Sequence, residues 1–138
     1  MSVVLFEEIA GKGGVLGVAM LNSKTTLNAL SLAMVDLLTP RLIEWAERDD
    51  VGSVLLCGAG DRAFCAGGDI QDMYHAIRRN EAAGQFVDDT CEQFFEREYR
   101  LDYLVHTYPK PIACFGRGIV ICGGLGLFSG SSNLIATP

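Results

Sequence analysis

The chain has no long apolar run, no surplus of positive charge and no closely spaced cysteine pair, and each absence narrows what it can be. A membrane-spanning helix needs about 18 or more nearly continuous apolar residues, and no such run is present. The N-terminus has no basic stretch leading into a continuous apolar one, so a secretory signal is not expected. A formal net charge of −6 argues against a general nucleic-acid surface, which needs a basic stripe. It leaves room for a local phosphate contact. The five cysteines, Cys57, Cys65, Cys91, Cys114 and Cys122, form no C-x-x-C pair. An odd number of them in mostly apolar surroundings fits the reduced, buried thiols of a cytoplasmic protein. His75 and His106 stand apart and read as surface histidines, so a zinc site, or any metal site, has little support.

What is present is enough for a core. Hydrophobic residues make up 49% of the 138, the size and composition of one folded domain rather than a disordered chain. Val3–Ile9 and Val15–Leu21 read as strands joined by a hairpin turn at Gly11-Lys12-Gly13-Gly14. Ser31 is placed to cap a helix running to about Arg48, with Leu32, Val35, Leu38, Leu42 and Trp45 on or near one face. Pro40 has no N–H to donate and is expected to kink or split that helix. A strand at Ser53–Cys57 precedes a helix expected to end near Ala76, and Arg78-Arg79-Asn80-Glu81 reads as a solvated link. A longer helix is expected from about Gly84 to His106, then a strand at Pro111–Phe115, a short helix from about Cys122 and a strand at Asn133–Ala136. That alternation predicts an α/β layered core.

Two glycine clusters carry the chemical signal. Ala66-Gly67-Gly68-Asp69-Ile70 follows the Ser53–Cys57 strand and opens a helix, with Asp69 at the cap position and Asp72 three residues on. Gly116-Arg117-Gly118 and Ile119 to Leu127 repeat the arrangement after the next strand. Glycines at such turns let backbone approach a ligand closely. A helix opening near Gly123 presents unpaired N–H groups there. Two turns of this kind can aim two donors at one oxygen, the logic of an oxyanion hole. The ordinary reading of each turn alone is structural. Gly116-Arg117-Gly118 begins like a dinucleotide-binding G-x-G-x-x-G, but Ile121 fills the last glycine position. Leu127 and Ser131 flank Ser129 where a nucleophile elbow needs glycines.

Together these motifs resemble the crotonase (enoyl-CoA hydratase/isomerase) superfamily. Asn22-Ser23-Lys24-Thr25-Thr26-Leu27-Asn28-Ala29-Leu30 is similar to that family's N-terminal loop, and the two glycine clusters follow in the family's order. Phe94-Phe95-Glu96-Arg97-Glu98-Tyr99-Arg100-Leu101, Tyr108-Pro109-Lys110-Pro111 and Gly123 to Leu127 are most similar to the 3-hydroxyisobutyryl-CoA hydrolase branch, a branch of valine catabolism. The resemblance implies a spiral of ββα units, with residues 1–138 as the N-terminal part of a single truncated domain. It also implies an acyl-CoA substrate, no separate cofactor because coenzyme A arrives with the substrate, and assembly as a homo-oligomer. Gly68 and Gly123 become the oxyanion-hole residues. Lys24, Leu27, Ala29, Ala66, Gly67, Asp69, Ile70, Val120 and Gly124 become substrate-binding positions. Lys24 is equally readable as a solvated loop lysine, and Asp69 as a helix cap. Glu98 resembles a substrate-contacting glutamate, though on a helix it could simply pair with Arg97 or Arg100. Gly126 takes the place where hydratases carry a catalytic glutamate, which disfavours hydration through that group. The branch's acid–base groups lie in later Pro-Glu and Pro-Asp motifs, so this chain alone is expected to be inactive. Hydration or isomerisation, and a non-catalytic module keeping only the fold, are the alternatives.

Overall fold

The computed structural model describes residues 1–85 and 89–138. Strands β1 (Val4–Gly11) and β2 (Gly14–Leu21) form the expected antiparallel hairpin. Strands β3 (Val51–Gly58), β5 (Ile112–Gly116) and β7 (Asn133–Ala136) extend the sheet in parallel, in the order β1-β2-β3-β5-β7. Between them lie two very short strands, β4 (Ala63–Cys65) and β6 (Ile119–Val120), which pair with each other in a separate parallel sheet. Neither was visible in the hydrophobic pattern, because two or three residues are too few to show alternation.

Helix α1 (Leu32–Glu47) packs across β1 and β2. Its start is set locally: the Ser31 hydroxyl accepts from the Met34 amide at 3.2 Å. Pro40 does not split it. The lost bond is the one residue 40 would have made to Asp36, and both residues are exposed, where water can take the freed carbonyl. Gly17 makes room for the helix. A Cβ there would lie 2.7 Å from Trp45 Cδ2, so the strand glycine marks a close approach. Trp45 meets Phe6 edge-on at 5.8 Å and donates from Nε1 to Glu8 at 2.9 Å. The far end of α1 is capped from a distance. Lys110 Nζ donates to the carbonyls of Trp45, at 2.7 Å, and of Arg48, and the Tyr108 hydroxyl donates to Leu42. A cation on a helix C-terminus is the favourable pairing, which gives Tyr108-Pro109-Lys110-Pro111 a structural job.

Helix α2 (Ile70–Ala82) runs beyond Ala76 and absorbs the residues expected to form a link. Arg78 and Glu81 pair across one turn of it at 2.9 Å. Gly84 lies outside any helix with a φ of 73°, and α3 is described from Asp89 to His106. Phe86, expected on that helix, lies outside the described residues. Helix α3 packs on α1, α2 and α4 (Gly123–Gly130). Phe94, Leu101 and Val105 of α3 and Leu127 of α4 join Leu38, Leu42, Leu56 and Phe64 in one core.

Candidate functional site

The short β4–β6 pairing decides where the two glycine turns go. Ile119 donates to the Arg62 carbonyl at 3.1 Å and Ile121 to the Cys65 carbonyl at 3.2 Å. The strands run parallel, so both turns leave from their carboxyl ends and meet there. Crevices at such ends are where α/β sheets bind ligands. Only glycine permits the approach. At Gly67 (φ 93°) a Cβ would fall 2.7 Å from Cys122 Cβ, and at Gly124 it would collide with the Cys65 carbonyl oxygen. Gly67 and Gly124, expected to touch substrate, are buried spacers that line no part of the cleft between the turns.

Gly68 and Gly123 do line it. The Gly68 nitrogen stands 3.8 Å from where a Cβ on Gly123 would sit. Among the described residues no acceptor takes either amide hydrogen. Gly123 is the first residue of α4, where an N–H has no partner within the helix. The cleft holds about 510 Å³. Ala66, Ile70 and Met73 form one wall, and Phe94, Phe95 and Tyr99 of α3 form the other.

Glu98 is only 5% exposed and points into this cleft. The alternative of a surface ion pair fails, because Arg97 binds Asp36 at 2.9 Å and Arg100 binds Glu96 at 2.6 Å. A helix turns about 100° per residue, so the flanking arginines are carried to other faces. Glu98 Oε1 sits where a Cβ on Gly123 would have to go. One turn on, Asp102 also lines the cleft, and its Oδ1 is buried with no hydrogen-bond partner among the described residues. Among the described residues no lysine or arginine lines the cleft. Burial, and after it the charge of Asp102, pushes the Glu98 carboxyl above its ordinary range, and burial raises Asp102. Beneath them burial raises the Cys65 thiol to about 11.

The remaining expected positions lie elsewhere. Lys24 and Leu27 line a second cleft with Asn28, Gly60, Asp61 and Arg62. Ala29 and Asp69 line a shallow depression beside Ser23 and Ser31. Asp69 is the cap of α2, accepting from the Asp72 amide at 3.1 Å, while its own N–H goes to Leu30 and not to Asp72. Val120 packs against the core. Sequence reading passed over two residues. Asn28 (φ 54°, 1% exposed) donates to the carbonyls of Ala59 and Ala63 at 3.0 and 2.9 Å and accepts from the Ser23 amide at 2.8 Å. It ties the N-terminal loop to the connection between β3 and β4. Its signal was there, since asparagine tolerates the left-handed conformation better than most residues. Asp102 gave no signal beyond standing four residues after Glu98. Among the described residues no group of three or more His, Cys, Asp or Glu could hold a metal ion, and no helix is long and apolar enough to cross a membrane.

The profile of the enoyl-CoA hydratase/isomerase family matches residues 16–138. A protein from Danio rerio named 3-hydroxyisobutyryl-CoA hydrolase, mitochondrial, is 39% identical over 136 residues, covering 99% of this chain and 33% of that protein. The small ribosomal subunit protein mS47 of Neurospora crassa is 36% identical over 117 residues, 84% of this chain and 22% of its own length. Among solved structures, a carnitinyl-CoA dehydratase from Mycobacterium thermoresistibile superposes with a TM-score of 0.84 at 34% identity, covering 99% of this chain and 37% of that one. The chain thus spans about a third of the length of the 3-hydroxyisobutyryl-CoA hydrolase it matches. Fold, motif order and profile agree that this chain belongs to the enoyl-CoA hydratase/isomerase family, the crotonase superfamily.

Proposed function

We propose that the chain carries the thioester-binding part of an acyl-CoA processing enzyme of the 3-hydroxyisobutyryl-CoA hydrolase type. In this reading the amides of Gly68 and Gly123 hold the thioester oxygen as water attacks the carbonyl carbon and negative charge builds on that oxygen. The observation that carries it is the pair of unpaired amides side by side in one cleft. Each such donor is typically worth about 3–4 kcal/mol of transition-state stabilisation. Collapse of the intermediate breaks the C–S bond, and the leaving thiolate takes a proton. Glu98 is the acyl-side contact. Gly126 supplies no carboxylate, which favours hydrolysis over hydration or isomerisation. Ala66 and the loop from Leu27 to Ala29 shape the channel for coenzyme A, and Lys24 meets its phosphates or adenine. The substrate brings the only cofactor.

Binding of a non-hydrolysable thioether analogue of an acyl-CoA, followed by amide NMR, tests this. The Gly68 and Gly123 amide signals should shift together on titration; a bound analogue that leaves both unmoved sinks the reading. The non-catalytic alternative has its own support in the likeness to mS47, a protein named as a ribosomal subunit. Failure of any acyl-CoA analogue to bind at millimolar concentration would favour it. The open parallel edge of the sheet supports assembly with further copies. Five cysteines without a disulfide among the described residues suit a reducing compartment. The cytoplasm is the proposed one, and cell fractionation tests it against the mitochondrion named for the Danio rerio relative.

A further inference from the structure

The space left by Gly126 is filled. A Cβ there would lie 2.8 Å from Asp102 Oδ2 and 3.0 Å from Oδ1, so the glycine is the room in which the Asp102 carboxyl sits. Its Oδ1 is sealed from solvent without a donor. Residues four apart on a helix stand one above the other, and the one above is Glu98, itself nine-tenths buried and aimed at Gly123. Other titratable groups around the pair are the Tyr99 hydroxyl on α3, Cys122 at the head of α4 and Cys65 on β4. The first turn and α2 contribute Ala66, Gly68, Ile70 and Met73, none of which titrates. Two carboxyls thus share a cleft wall with no cation, where both cannot hold their charge cheaply.

We propose that Asp102 is a positioning residue for Glu98: the two carboxyls hold one proton between them, and Asp102 keeps it on Glu98. The consequence is local. Glu98 Oε1 borders the spot where Gly123 would hold an oxygen that gains charge. A carboxylate there would repel that oxygen, whereas a carboxylic acid can donate to a ligand oxygen. Glu98 is 5% exposed and is ordinarily the weaker acid of the two, at 4.5 against 3.8, which places the proton on it. The consequence for ligands rests on the acyl-CoA reading, while the shared proton belongs to the empty cleft.

Carboxyl ¹³C NMR of the 138-residue chain, titrated from acid to alkaline pH, tests the pair directly. The wild type should show Glu98 titrating well above ordinary glutamates, in steps coupled to Asp102. Asp102→Asn should bring the Glu98 midpoint down by about one unit or more. A Glu98 midpoint that stays put in Asp102→Asn overturns the proposal, since burial alone then explains it. Should that variant fail to fold by circular dichroism, Glu98→Gln reads the same pair from Asp102: the lower step should stay and the higher one vanish, and a higher step that persists overturns the proposal. Gly126→Ala, which pushes the Asp102 carboxyl aside, should weaken the coupling. The affinity of an acyl-CoA thioether should then decline as pH rises through the Glu98 midpoint, and decline at lower pH in Asp102→Asn. Coupling without any binding upholds the pair and removes the acyl-CoA reading. Binding with an uncoupled Glu98 removes the pair and leaves that reading standing.

Discussion

Adding one methyl group at each of two neighbouring glycines should separate the fold from the site. At position 124 the new Cβ collides with the Cys65 carbonyl oxygen and stands 2.7 Å from Cys65 Cβ. Neither side can give way. The Cys65 carbonyl accepts from Ile121 at 3.2 Å, and the Gly124 amide donates to the Ile121 carbonyl at 3.0 Å, so both are pinned by the β4–β6 pairing. Overpacking of this kind costs about 1–3 kcal/mol, and contact with fixed backbone puts it at the upper end. Replacing a helical glycine by alanine returns at most about 1 kcal/mol. Gly124→Ala should therefore lose about 2 kcal/mol, which for a chain of this length lowers Tm by roughly 6–10 °C. At position 123 the methyl meets Glu98 Oε1, the end of a side chain that can swing into the cleft. Stability should change by less than about 1 kcal/mol. The methyl nonetheless fills the place beside the Gly68 amide, so an acyl-CoA analogue should bind at least tenfold more weakly, about 1.4 kcal/mol. Differential scanning fluorimetry and calorimetric titration on both variants give the two readouts. A Gly124→Ala protein that melts with the wild type, or a Gly123→Ala protein that binds as well, would refute the reasoning.

Asn28→Ala should cost about 3–4 kcal/mol in urea unfolding, from three lost hydrogen bonds and a left-handed residue that alanine tolerates poorly. Asn28→Gly, which relieves only the backbone, should recover about 1 kcal/mol of that. The Glu98 and Asp102 carboxyls rise above their ordinary 4.5 and 3.8 on folding, so the native chain holds protons that the unfolded chain has released. Their contribution to stability is complete below those ordinary values and is lost as pH rises through the raised ones. Urea midpoints measured at rising pH above those ordinary values should fall accordingly, and less steeply in Asp102→Asn. Expressed alone, the 138-residue chain should show negligible turnover of 3-hydroxyisobutyryl-CoA, because Glu98, the carboxyl beside the unpaired amides, is held as the acid and is no base for water. Robust turnover abolished by Glu98→Gln would make Glu98 that base. Leu134 and Ile135 of β7 are about half exposed, at 50% and 47%, beside an edge that no strand among the described residues covers. Sedimentation should show association, and a compact monomer with no dye-binding surface would contradict it.

Where structure is decided within a few residues, the sequence was a sufficient guide. Three glycines and a lysine between two apolar runs make the hairpin, Ser31 before an apolar stripe makes the start of α1, and Asp69 makes the cap of α2. Pro40 misled because its cost depends on which face of the helix loses a bond, and here that face meets water. The end of α2 was missed for a related reason. Arg78, Arg79, Asn80 and Glu81 are all polar, so a helix there leaves no apolar periodic trace. Strands β4 and β6 were beyond reach. Ala63 pairs with Ile119, a partnership more than fifty residues apart that neither segment advertises.

The sequence by itself determined that two glycine turns exist, that each can expose an amide, and which family they resemble. Tertiary structure decided which glycines serve the cleft and which merely let backbone pass backbone: Gly68 and Gly123 face it, while Gly67 and Gly124 are spent on Cys122 and Cys65. It also decided Glu98, whose flanking arginines find partners on other helix faces, and Asp102, whose carboxyl occupies what Gly126 leaves empty. The division follows the range of the forces involved. Capping and turn geometry act over three or four residues and are written locally, whereas a buried carboxyl is defined by what surrounds it, and its neighbours here come from four different segments of the chain.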